Sequence, residues 1–404
     1  MTKENGLSRY RFIILLAIIP IIVSTEMMWL SLAPISSLAE EYYGVSSLSI
    51  AMFSMSYMIM YIIFSLPASI AVDKFGYRFS LIIGASITAV LGLGRAFFAD
   101  NFTVVLISQF IIAIGQPFLL NITTKVPANW FPLSERSTAA GILTMAQYIG
   151  YAVPMLLAPM IADSRGIPNT FLVFGIIATI SAVIAIVFTR EKPHIAPPGP
   201  SAQAEDFQIK SIRGLFTNKS FMLVLFICLI SIGIFNTILT LLESILLPRA
   251  ITSAQAGIVG TVFVITGIIG AVVLPIISDH LHKRVIFFIG NITLLIPIYL
   301  GFTFIDNYVI LAALAGLAGF LTMGVAPILF QHGTEVAYPL PEGTSLGVIL
   351  LMGQISGAIF VYLFNAIQNV SGSVIWPMLF IVVLTATELP ATLRMKESKL
   401  NAKL

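Results

Sequence analysis

Glu26 lies in the stretch "IIVSTEMMWLSLAP", inside an apolar run that begins at Phe12 and is long enough to cross a bilayer. Trp29 follows three residues later. Positions i and i+3 share one face of a helix, so a carboxylate and an indole are set side by side. A charge at the bilayer centre costs about 2.5–3.5 kcal/mol on insertion scales, and it marks a functional position by default. An indole face attracts ammonium groups. The pair therefore reads as half of a cation site, with Glu26 also a candidate for exchanging a coupling proton. The competing reading is a neutral acid that hydrogen-bonds one helix to another.

Other polar residues fall inside apolar runs. Gln116 opens "GQPFLLNITTK", Gln147 and Gln354 occupy corresponding places in the two halves, Asn236 stands 207 residues after Trp29, and Glu243 lies two turns beyond Asn236. A buried amide in a lipid-spanning helix needs a partner, so helix-to-helix bonding competes with solute contact at each. Glu335 and Glu388 are expected at helix ends, where solvation is easy, and Glu135 and Glu342 in N-terminal capping turns that meet free N–H groups and the helix dipole. No Lys or Arg is expected deep in a helix: Arg95 falls in the outer part of the third run and Lys125 at the inner end of the fourth. An anionic solute needs a central cation to offset its desolvation, so anions are disfavoured. His194, His280, His282 and His332 fall in loops or near helix ends, leaving Met323 as the candidate ligand for a haem. There is no nucleophile triad, phosphate loop or metal pair, so neither an enzyme nor a cofactor is expected. Cys228 stands alone, which excludes a disulfide framework.

The elements that must position these residues follow from composition. The 404 residues are 58% hydrophobic and 10% charged, against about 25% charged in soluble domains. Lipid must be the solvent for most of the chain, which predicts an all-α integral membrane protein. Since a span needs about 20 apolar residues, twelve runs are read, at 12–38, 48–72, 79–98, 102–125, 135–161, 169–189, 220–247, 254–278, 284–304, 308–332, 342–366 and 373–391. The charged, Pro-rich stretch 190–218 is a cytoplasmic linker between six-helix bundles at 1–189 and 219–404. With the N-terminus inside, 18 of the 21 Lys and Arg residues face the cytoplasm, so both termini are expected there. Basic loops also account for the net charge of +3, and no nucleic-acid partner is expected.

The halves repeat. "FPLSERSTAAGILTMAQYIGYA" from Phe131 matches "YPLPEGTSLGVILLMGQISGAI" from Tyr338 at an offset of 207, and Asp73 matches Asp279 at 206. Parallel six-helix halves place a solute site between them near the midplane.

Asp73-Lys74-Phe75-Gly76-Tyr77-Arg78 resembles the loop motif of the major facilitator superfamily, with Ser69 where a Gly is usual. The resemblance implies the major facilitator fold and alternating access. It also implies a conformational latch at Asp73, Lys74, Gly76 and Arg78, repeated at Asp279, Lys283 and Arg284. "YYGVS", "SMSYM", "KFGYR", "WFPLSERSTA" and "YPLPEGTSLG" are together similar to the feline leukaemia virus receptor-related family, associated with choline, ethanolamine and haem transport. That likeness implies solute contacts at Trp29, Gln116 and Gln354, while Asn236 replaces a cage tyrosine. The expectation is a secondary transporter, monomeric and in the plasma membrane, for a cationic or zwitterionic amine, with the lipid bilayer as partner and a proton or cation coupled. A proton-coupled exporter of drugs, amphiphiles or haem is the alternative. A membrane sensor would need an output module, and the sequence offers none.

Overall fold

The computed structural model describes residues 9–193, 215–338 and 342–398. It divides into two compact units, Met1–Ala204 and Glu205–Leu404. Most of the expected linker, residues 194–214, lies outside the described residues. No strand occurs among the described residues.

In the first unit, α1 (Tyr10–Trp29) ends just after Glu26, and a single 3-10 turn, Ala33–Ile35, leads into α2 (Ser36–Tyr43). The first apolar run is thus not one helix. Pro34 enters this turn, and a proline has no N–H for the ladder. α3 (Ser47–Phe75), α4 (Tyr77–Gly94), α5 (Phe102–Leu120), α6 (Ile122–Trp130) and α7 (Leu133–Phe188) follow. The 56 residues of α7 would run about 84 Å at 1.5 Å per residue, far beyond one bilayer. Gly166, at φ 80° and ψ 170°, breaks it into two arms just ahead of Pro168. Eleven helical stretches among the described residues are long and apolar enough to cross a membrane. The two arms of α7 count once among them, so the twelve expected runs become twelve rods. α1 packs chiefly on α7, α3 and α4 both pack on α5, and α4 also packs on α7.

The second unit contains α8 (Lys219–Leu246), α9 (Ser253–Leu281), α10 (Val285–Phe304), α11 (Tyr308–Ala337), α12 (Glu342–Ser371) and α13 (Ile375–Thr392). α9 packs on α11, α8 on α12 and α10 on α13. Each unit has its own apolar core, with Ile18, Ile22, Leu81 and Leu143 in the first and Phe221, Cys228, Leu329 and Ile349 in the second. Large apolar side chains such as Val90, Phe97, Val183, Ile276 and Val309 are exposed. A soluble surface would not carry so many, whereas lipid accepts them.

Candidate substrate site

α1 buries its last six residues without exception, Glu26 and Trp29 among them. The Glu26 side chain is fully enclosed. Gln116 of α5 turns its Nε2 to both carboxylate oxygens, at 3.1 Å and 3.0 Å. No Lys or Arg pairs with Glu26 among the described residues. Gly150 lets α7 approach α1 closely here: a Cβ there would lie 2.6 Å from the Glu26 Cβ and 2.8 Å from the Val23 carbonyl. Trp29 donates its Nε1 hydrogen to the Ser54 carbonyl at 3.0 Å. Its ring meets Tyr151 edge to face at 5.3 Å, and Tyr148 lies 5.9 Å from Tyr151. The structure therefore brings Glu26, Trp29 and Gln116 together in one unit and adds Tyr151, which the sequence reading passed over. The spacing in "QYIGYA" puts two tyrosines on one helix face and was the available signal. Gln147 is half-buried on α7.

The remaining candidates belong to the second unit. Asn236 is buried on α8, and its Nδ2 has no partner among the described residues. Glu243, also on α8 and buried, accepts from Ser253 Oγ at 2.9 Å. That bond ties the end of α8 to the start of α9. Gln354 is half-buried on α12. Met323, the haem-ligand candidate, is packed against Gly267 and only 2% exposed.

Three placements differ from expectation. Arg95 is not a solvated cation at the rim but is 1% exposed inside the first unit. It donates to Gln109 Oε1, to Met28 Sδ at 2.9 Å and to Ser31 Oγ at 3.4 Å. Its guanidinium lies 4.5 Å from the Phe171 ring centre. No carboxylate pairs with it among the described residues. The Tyr57 hydroxyl is within electrostatic reach of both Arg95 and Glu26, so Glu26 is not in a bundle free of positive charge. The planar fork satisfies several partners at once, and the aromatic face covers the rest.

Glu388 was expected to be solvated at a helix end. It is 1% exposed and accepts from Ser231 Oγ at 2.9 Å. Glu335, expected to be solvated likewise, pairs with Arg284 at 2.7 Å. Position along a helix does not reveal which face a side chain takes, and both face the bundle. Glu135 meets Arg11 at 3.2 Å at the start of α7, while the Glu342 side chain lies outside the described ones.

At the expected latch, Asp73 pairs with Lys125 of α6 at 2.7 Å rather than with Lys74 or Arg78. Lys74 lies over the Phe75 ring. Gly76 has φ 88°, a region closed to most side chains, and joins α3 to α4. Beyond the turn, Glu191 accepts from the Tyr77 and Arg78 backbone N–H groups at 3.2 Å and 2.8 Å. The second unit repeats this design. Arg284 lies between Asp279, at 3.9 Å, and Glu335, Lys283 lends its carbonyl to Ser278 Oγ at 3.0 Å, and Glu397 accepts from the Arg284 and Val285 N–H groups. A carboxylate at free helix N–H groups also meets the positive end of the helix dipole. Sequence reasoning missed Glu191 and Glu397, although their separation of 206 residues equals that of Asp73 and Asp279.

Comparison with known proteins supports this frame. The family profile described as the Major Facilitator Superfamily matches residues 14–361. The choline/ethanolamine transporter FLVCR1 of Felis catus is 27% identical over 378 residues, covering 88% of this chain and 68% of that protein. The choline/ethanolamine transporter FLVCR2 of Homo sapiens is 28% identical, covering 87% and 71%. The crystal structure of a bacterial homologue of the human lysosomal transporter Spinster, inward-facing and unoccupied, superposes with a TM-score of 0.77 at 14% identity, covering 96% of this chain and 97% of that one. This multi-pass membrane transporter belongs to the Major Facilitator Superfamily.

Proposed function

We propose that this transporter moves a small cationic or zwitterionic amine by alternating access, with Glu26 as the solute's counter-charge. One observation carries the reading: an enclosed carboxylate, held by the Gln116 amide and paired with no cation among the described residues, beside the aromatic pair Trp29 and Tyr151. An ammonium group over such rings gains from both the charge and the ring faces. The choline and ethanolamine named for FLVCR1 and FLVCR2 are amines of this kind. Gln147, Asn236, Glu243 and Gln354 remain candidate solute contacts on sequence grounds. Asp73, Lys74, Gly76 and Arg78, with Asp279, Lys283 and Arg284, are proposed as latch residues that change partners as the carrier alternates. Residence as a monomer in the plasma membrane, with both termini in the cytoplasm, completes the proposal.

The test is counterflow of radiolabelled choline in proteoliposomes, with Glu26→Gln as the variant. Removing one side of a desolvated charge pair costs about 2–5 kcal/mol, so choline affinity should fall by tens-fold or more. A variant that still binds choline but loses the pH dependence of transport would assign Glu26 to proton exchange instead. Unchanged affinity, rate and pH profile would reduce Glu26 to an interhelical hydrogen-bond partner and overturn the reading.

A further inference from the structure

We infer that Glu388 is a proton-binding site in the second unit, seated in the seam between α8 and α13. It stands apart from the solute reading above and does not depend on the identity of the solute. The seam has a repeat-related counterpart. In the first unit, Ser24 Oγ of α1 donates to Ser181 Oγ of α7 at 3.0 Å. Adding 207 to both numbers gives Ser231 and Glu388, and the Ser231 hydroxyl donates to Glu388 Oε2 at 2.9 Å. Both contacts are shielded, with Ser181 4% and Glu388 1% exposed.

Two serines suffice to join these helices in the first unit. Holding the seam therefore does not require a carboxyl group, and the acid is an addition made in one unit only. An acid facing the interior of a membrane bundle is expensive to keep unless it is used. No Lys, Arg or His pairs with Glu388 among the described residues. The titratable neighbours that feel its charge are Cys228 of α8 and Tyr299 of α10, and neither supplies a positive charge. On α12 the one titratable side chain among the described ones, Tyr362, is 52% exposed.

Something must neutralise the acid when it is enclosed. Calcium needs six to eight oxygen ligands and zinc at least three protein ligands. The one partner bonded to the Glu388 carboxyl here is a serine hydroxyl, and no cluster of metal-ligating residues occurs among the described residues. That leaves a proton, taken from water as the carboxylate becomes the acid and returned to water when the seam hydrates. Protonation turns one carboxyl oxygen from acceptor to donor, while the other keeps the Ser231 bond. The seam can thus hold in both states.

The first unit supplies the control. Glu388→Ser rebuilds the Ser24–Ser181 pairing and should leave the fold intact, and Glu388→Gln serves should that variant fail to fold. Infrared difference spectroscopy on the purified full chain, during pH titration in a Glu26→Gln background, reads protonated carboxyl groups directly and needs no solute. A carbonyl band of a buried acid should appear as pH falls, titrate reversibly, and vanish in Glu388→Ser or Glu388→Gln. A band that persists in both variants would overturn the assignment. So would the absence of any titrating band when Glu388 is present, or a band that never titrates. Failure of choline counterflow, by contrast, would bear only on the solute reading.

Discussion

The bond between Gln116 and Glu26 can be weighed by a double-mutant cycle with Glu26→Leu and Gln116→Leu. One nitrogen serves both carboxylate oxygens, at 3.1 Å and 3.0 Å, so the contact counts as one shared hydrogen bond. A bond to a charged group contributes about 1.5–3 kcal/mol, and one between neutral groups about 0.5–1.5 kcal/mol. Each single variant also leaves a buried polar group unsatisfied, since Glu26 is enclosed and Gln116 only 7% exposed. That adds a penalty of about 1–3 kcal/mol. The pair of leucines leaves neither group and should recover most of what either single change loses. Equilibrium unfolding by SDS in mixed micelles gives the four free energies. Because each penalty falls on a single variant and not on the double, the coupling should exceed the bond alone, lying above about 1.5–3 kcal/mol if Glu26 is ionised in the empty carrier and above about 0.5–1.5 kcal/mol if it is neutral. Strict additivity, with coupling below about 0.3 kcal/mol, would show that the two groups do not depend on each other and would refute the geometry on which the site is built.

Other changes test the surroundings of the site. Gly76→Ala should lower stability by about 1–3 kcal/mol, because φ is 88° and a Cβ there would strike the Glu191 carboxylate; Gly141→Ala, with nothing within 4 Å of the added Cβ, should be neutral or slightly stabilising in the same thermal unfolding assay. Gln109→Leu should be worse than Arg95→Met, since the first takes one hydrogen bond from a buried guanidinium at a cost of about 1.5–3 kcal/mol while the second removes the charge altogether; the reverse order in thermal unfolding would mean that Arg95 is solvated. Asp73→Asn should change stability by no more than about 1 kcal/mol, as the Asp73 carboxylate is 40% exposed, yet alter the rate of solute transport; loss of solute binding with an unchanged conformational balance would remove Asp73 from the proposed latch.

Hydropathy and the six-plus-six repeat were enough to announce the fold, because each span must satisfy its backbone internally and so writes a long apolar run into the sequence. Gly76 was legible for a similar reason, since a turn between two spans leaves few residue types for a positive φ. The side-by-side placement of Glu26 and Trp29 was also local, being a matter of helical spacing alone. What holds Glu26 was not local: Gln116 is 90 residues away, and the sequence marked it as an amide in need of a partner without saying which. Arg95, Glu388 and Glu191 show where sequence reasoning ends. Each lies at or near a helix end, where a polar residue reads as solvated, and each finds partners from helices remote in the chain. The Arg95 guanidinium is enclosed by groups at positions 28, 31, 109 and 171. A hydropathy profile says that a residue travels with a span but not which way its side chain faces. Only packing of the helices decides that, because burial is a property of the neighbours on all sides rather than of the residue itself.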